Sequence, residues 1–158
     1  MDCIEFMKQV PDKFFHLAIV DPPYGIGAGS VNFQSGTRKR PSKFHKQNDW
    51  DTSIPAPEYW EQLFRVSKNQ IVFGGNAKEK FDIDRIHPTQ KPIQLYEWII
   101  KEFMSEGNLI LDTHLGSGGS RIAAHKAGKI FVGTEIDKDY FEMQEERWKN
   151  FTAQTTLW

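Results

Sequence analysis

Four apolar residues in a row, Leu17-Ala18-Ile19-Val20, run without polar alternation into an acid, Asp21. A short apolar run of this kind predicts a strand covered on both faces, as in a parallel sheet. The pattern recurs in Asn108-Leu109-Ile110-Leu111, which ends on Asp112, and in 129–134, which leads to Glu135. Another run, Gln70-Ile71-Val72-Phe73, closes on Gly74-Gly75-Asn76. Between these runs the apolar spacing lengthens to a helical period. Asp2 to Pro11 reads as a short helix or turn with Ile4, Phe6, Met7 and Val10 inward. Pro57 to Val66 follows with Tyr59, Trp60, Leu63, Phe64 and Val66, then 93–105 with Ile93, Leu95, Tyr96, Ile99, Ile100 and Phe103. A helix over 120–127 stops at Gly128, and another runs to about Asn150 from the N-cap Asp137, with Tyr140, Phe141, Gln144, Trp148 and Phe151 inward. Strands alternating with helices predict an α/β fold, a mostly parallel sheet with helices on both faces.

Three acids, Asp21, Asp112 and Glu135, therefore close predicted strands. In an open parallel sheet the strand ends on one edge share a crevice, and ligands bind there. After Asp21 come Pro22, Pro23 and Tyr24. Both prolines lack an amide hydrogen and hold φ fixed, so a carboxylate and a free backbone carbonyl stand side by side beside an aromatic ring. A strand that merely ends in a proline turn is the bland reading, but this tetrapeptide arises by chance in roughly one in a thousand chains of this length.

Beyond Asp112 lies Thr113-His114-Leu115-Gly116-Ser117-Gly118-Gly119. Strand, glycine loop and helix hold a cofactor against backbone amides. A dinucleotide fingerprint starting at Gly116 would want glycine or alanine at 121, and Arg121 stands there. Glu135 lies about twenty residues beyond the first glycine, a spacing suited to ribose hydroxyls.

The 158 residues fit one domain, 39% hydrophobic and 26% charged, as in soluble globular proteins. No run approaches the roughly eighteen apolar residues of a membrane span. The acidic start lacks the features of a secretory signal, and the lone Cys3 gives neither a disulfide nor a metal-site spacing, so the cytoplasm is expected and no metal. A net charge of −1 neither supports nor excludes nucleic acid. Distribution changes that picture: Arg38, Lys39, Arg40, Lys43, His45 and Lys46 cluster with Phe33 and Phe44, just after the glycine-rich stretch 25–30. Such a loop suits a phosphate backbone and an unstacked base, where a solvated charge run is the alternative.

Asp21-Pro22-Pro23-Tyr24 resembles the catalytic motif of the S-adenosylmethionine-dependent amino methyltransferases that act on DNA bases, in the branch that modifies adenine N6. His87-Pro88-Thr89-Gln90-Lys91-Pro92 and the set Asp112, Gly116, Gly118, Glu135 match two further motifs, so the resemblance spans Asp2 to about Tyr140. The catalytic strand preceding the cofactor strand is similar to the motif order of the beta group. The resemblance implies a single Rossmann-like methyltransferase domain with a catalytic half, 1–76, and a cofactor half, 87–151. It implies S-adenosyl-L-methionine held by Asp2, Thr89, Lys91, Asp112, Gly116, Ser117, Gly118 and Glu135, with Asp2 near the adenine ring and Thr89 and Lys91 at the carboxylate. Asp21, Pro22, Pro23 and Tyr24 become catalytic, and Arg38, Lys39, Arg40, Lys43 and Lys46 the contacts to double-stranded DNA.

The chain departs from the family at Thr113-His114, where proline and phenylalanine are usual. It departs again at 77–86, where members carry a recognition segment of tens of residues. Ten residues cannot fold into a reading module, so the chain either has almost none or the sequence omits residues there. The expected activity is site-specific methylation of adenine N6 in DNA, as in restriction-modification. N4-cytosine methylation, which usually begins its motif with serine, RNA or protein-glutamine methylation, and a non-catalytic cofactor- or DNA-binding module are the alternatives. A second copy of the chain, and the replication sliding clamp reached by the tail 154–158, are candidate partners; a membrane is not.

Overall fold

Leu17, Ala18, Ile19 and Val20 are at most 1% exposed, the burial of a strand with no solvent face. They belong to β1 (Phe15–Val20), the second strand of a four-stranded, all-parallel sheet. In this computed structural model the described residues are 1–25, 51–74 and 90–155. The sheet order is β2 (Ser67–Val72), β1, β3 (Leu109–Asp112), β4 (Ile130–Gly133). Registers of Ala18 with Gln70 and with Leu111, and of Asp112 with Gly133, align the carboxyl ends along one edge.

The period of two along β1 assigns its side chains to two layers. Leu17, Ile19 and Ile110 pack against Tyr96, Ile99 and Ile100 of α3 (Ile93–Phe103) and Ala123 and Ala124 of α4 (Gly119–Lys126). Ala18, Val20 and Leu111 pack on the other face against Met7 of α1 (Cys3–Lys8) and Tyr59, Leu63 and Val66 of α2 (Pro57–Val66). Helices thus cover both faces, as the alternation of elements predicts. The last helix, α5 (Lys138–Thr155), starts where Asp137 Oδ1 accepts from the amides of Asp139 and Tyr140, at 2.8 and 3.1 Å.

Four details depart from the sequence pattern. β2 begins three residues before Gln70, because Ser67 leaves α2 already extended (φ −120°, ψ 147°), and no loop intervenes. Its polar start hid it: Lys68 and Asn69 face solvent on a strand paired only to β1 among the described residues. Phe64 and Phe141 are 50% and 43% exposed, each lying one helical step from the buried stripe of its helix. Phe103, 53% exposed, meets Trp98 edge-on at 5.6 Å while Met104 takes the buried place.

Candidate active site

Asp21 stands one residue past β1, and the backbone around it is fixed by what the following residues lack. Pro22 is buried, Pro23 half-buried, and neither can donate. The first amides available after Asp21 belong to Tyr24 and Gly25, and both donate to Asp51 Oδ1, at 2.6 and 2.8 Å. The Tyr24 hydroxyl turns back to donate to Asp21 Oδ1 at 3.2 Å. Partial burial, and then the Asp21 charge, push the Tyr24 hydroxyl above its ordinary pKa. The other oxygen, Oδ2, is ion-paired to Lys91 Nζ, which also lies 4.6 Å from the ring centroid of Phe73 at the end of β2.

On the neighbouring strand Asp112 is 3% exposed. Its Oδ2 accepts from Ser120 Oγ at 2.5 Å and its Oδ1 from the His114 amide at 3.0 Å, so the carboxylate ties the glycine loop to the first turn of α4. Burial dominates these hydrogen bonds and pushes its pKa up to about 7. The loop needs Gly118 at φ +71°, where a Cβ would lie 3.1 Å from Gln144 Oε1. Gly119 lies against the 90–96 segment: a Cβ there would stand 3.1 Å from the Tyr96 ring and 3.5 Å from the Lys91 carbonyl oxygen. The carboxylate of Glu135 closes the loop from β4, accepting from Gly116 N at 2.8 Å and Asp137 N at 3.0 Å. Burial raises its pKa as well.

One edge of the sheet therefore carries a carboxylate in a proline turn, a cation bonded to it, and a glycine loop closed by a second half-buried acid. The sequence profile of the DNA methylase family matches residues 59–146, more than half of the chain. The chain belongs to the DNA methylase family. It is similar to the Type II methyltransferase M2.DpnII of Streptococcus pneumoniae, 41% identical over 61 residues, which is 39% of this chain and 23% of that protein. It is also similar to the orphan methyltransferase M.BamHII of Bacillus amyloliquefaciens, 34% identical over 79 residues, 48% of this chain and 30% of the relative. The matches thus span less than a third of the length of these curated relatives. In fold it is similar to the crystal structure of the M1.HpyAVI–SAM complex, with a TM-score of 0.51 at 18% identity, covering 93% of this chain and 96% of that one.

In this member of the family the structure brings together Asp21, Pro22, Pro23, Tyr24, Lys91, Asp112, Gly116, Ser117, Gly118 and Glu135 along one sheet edge. Asp2 caps α1, accepting from Ile4 N and Glu5 N at 2.9 and 3.0 Å. Thr89, the basic residues Arg38, Lys39, Arg40, Lys43 and Lys46, the segment 77–86 and the tail end 156–158 lie outside the described residues. Among the described residues no group of His, Cys, Asp and Glu could hold a metal ion, and no helix is long and apolar enough to cross a membrane.

Sequence reasoning missed three contributors. Asp51 sits in a stretch, Asp49-Trp50-Asp51, that reads only as a loop end. Phe73 reads only as the end of a strand, although its ring borders Lys91. Arg121 reads only as a misfit to a dinucleotide fingerprint. It clamps α4 to α5, donating to Gln144 Oε1 at 3.0 Å and Glu145 Oε1 at 2.5 Å, with its guanidinium 4.3 Å from the Trp148 ring centroid. His114, at the family's proline-phenylalanine position, bonds Thr113 Oγ1 at 2.9 Å, and that hydroxyl meets Tyr59 OH at 2.8 Å. Burial lowers the His114 pKa to about 4, so the ring is neutral near pH 7.

Proposed function

We infer that the chain methylates the exocyclic amine of a DNA base, adenine N6, with S-adenosyl-L-methionine as donor. The observation that carries this reading is Asp21: a carboxylate fixed at the end of a buried strand, followed by a turn without amide hydrogens, on the same edge as the glycine loop. The conjugated amine of adenine is a poor nucleophile until it becomes more tetrahedral. Asp21 and the Pro22 carbonyl each accept one of its hydrogens, hold that geometry and stabilise the positive charge that grows on nitrogen. Among the described residues each Asp21 oxygen carries one bond and keeps a second lone pair for this task. Tyr24 stacks on the base once it is flipped from the duplex, where the amine is out of reach.

The residues fit the donor. The Glu135 carboxylate meets the amides of Gly116, Asp137 and Ile136, and its remaining acceptor direction suits a ribose hydroxyl. Lys91, beside the glycine loop, supplies the cation for a carboxylate. When bound, S-adenosyl-L-methionine supplies an electrophilic methyl on a sulfonium. Positioning of the amine in line with that methyl supplies much of the rate. The alkylated amine would then lose one proton to solvent, with Asp21 and the Pro22 carbonyl as its hydrogen-bond acceptors.

The aspartate that opens the motif favours adenine over cytosine, and the basic run 38–46 supports a DNA duplex as substrate. The test is incubation with radiolabelled S-adenosyl-L-methionine and unmethylated genomic DNA, beside Asp21→Ala, followed by digestion to nucleosides. Label in N6-methyladenine that disappears in the variant supports the reading. Label in N4-methylcytosine transfers it to that base, and cofactor binding without label overturns it in favour of a silent module.

A further inference from the structure

Asp51 is 2% exposed, although the three residues after it all face solvent. A carboxylate is buried only where donors meet it. Among its donors are two consecutive backbone amides, those of Tyr24 and Gly25, and both converge on the same oxygen, Oδ1. They are the first two amides the chain possesses after Asp21, since Pro22 and Pro23 have none. A second observation fixes the same junction. Gly25 has φ +68°, and a Cβ on it would lie 3.4 Å from the backbone of Ser53 and of Ile54, so the turn is packed directly against the residues that follow Asp51.

We propose that Asp51 is a positioning residue, which sets the Tyr24 ring by holding its backbone and through it the Asp21 carboxylate. This rests on the methyl-transfer reading above. The route is continuous: Asp51 Oδ1 to the Tyr24 amide at 2.6 Å, then the Tyr24 hydroxyl to Asp21 Oδ1 at 3.2 Å. Charge-assisted bonds to a carboxylate are about twice as strong as neutral ones, so this oxygen restrains a turn that the prolines leave without other amides. Asp51 lies outside the strands of the sheet and acts through Tyr24.

Because both amides use one oxygen, an asparagine oxygen can replace it, whereas alanine leaves two buried amides without their acceptor. The test uses the whole chain with 13C-labelled tyrosine, the Tyr24 signal being assigned by its loss in Tyr24→Phe. Asp51→Ala should shift or broaden the Tyr24 signal, leave the other three tyrosines in place, and lower kcat for methyl transfer at least tenfold. The dissociation constant for S-adenosyl-L-methionine should stay within twofold, and Asp51→Asn should recover kcat to within about threefold of wild type. An unchanged Tyr24 signal in Asp51→Ala overturns the proposal, whatever the activity. So does a general loss of all four tyrosine signals in Asp51→Ala together with an Asp51→Asn that keeps the fold but has the alanine-like kcat. A Tyr24 signal that moves in a protein whose wild type labels no DNA sinks the functional reading and leaves the positioning intact.

Discussion

Lys91 is ion-paired to Asp21 across 70 residues of sequence, with side chains only 12% and 21% exposed. The same lysine belongs to the segment that lies against Gly119, so one cation joins the proposed donor side of the site to the proposed acceptor side. Lys91→Gln should therefore weaken S-adenosyl-L-methionine binding about tenfold or more, the scale of a charge-assisted hydrogen bond. Isothermal titration of the variant checks this, and an unchanged affinity would remove Lys91 from the donor site.

Tyr24→Phe and Tyr24→Ala separate two roles of one side chain. The phenylalanine variant keeps the stacking face and loses only the 3.2 Å bond to Asp21, so kcat should fall by no more than about tenfold. The alanine variant loses the ring too, and a stacked base is worth about 1–3 kcal/mol. Its kcat should fall clearly further in the same labelled-DNA assay.

Asp112 should make the fold weaken as pH rises. Its pKa is pushed up from 3.8 to about 7, so between these values the folded state binds more proton than the unfolded one. That contribution is complete below about pH 4 and is lost on approach to pH 7. His114, lowered from 6.5 to about 4, acts with the opposite sign, its contribution being present above pH 6.5 and lost as pH falls to about 4. Urea unfolding of wild type and Asp112→Asn across this range isolates the aspartate. The difference, wild type minus variant, should decline with pH at up to about 1.4 kcal/mol per pH unit. A flat difference would show that Asp112 titrates normally.

Arg121→Ala should cost about 1–3 kcal/mol by urea unfolding, since it removes the charged donor shared by Gln144 and Glu145 and uncovers Trp148. Arg121→Lys should recover little, because a point charge cannot make the forked contact and cover the indole together.

The legible parts of this chain were those where one residue type has one physical use. Unbroken apolar runs located β1 and β3, the prolines after Asp21 located the turn, and glycines located the loop before α4. β2 was half legible, since Lys68 and Asn69 on its solvent face carry no apolar signal. Asp51 was illegible for a different reason. A carboxylate that serves amides 26 and 27 residues away leaves no local pattern, and only the folded chain brings them together. Arg121 shows the converse: its misfit to one cofactor loop was legible, whereas its clamp on α5 depends on a helix that starts 17 residues later.

Like β3, β1 has a neighbour on each side and a layer of helices over each face. Its amides can exchange with solvent only when the sheet itself comes apart, so Leu17 to Val20 belong to the unit that opens last. Asp21 is mounted on that unit. Local fluctuations that loosen surrounding segments therefore leave the Asp21 carboxylate in place until the sheet itself melts.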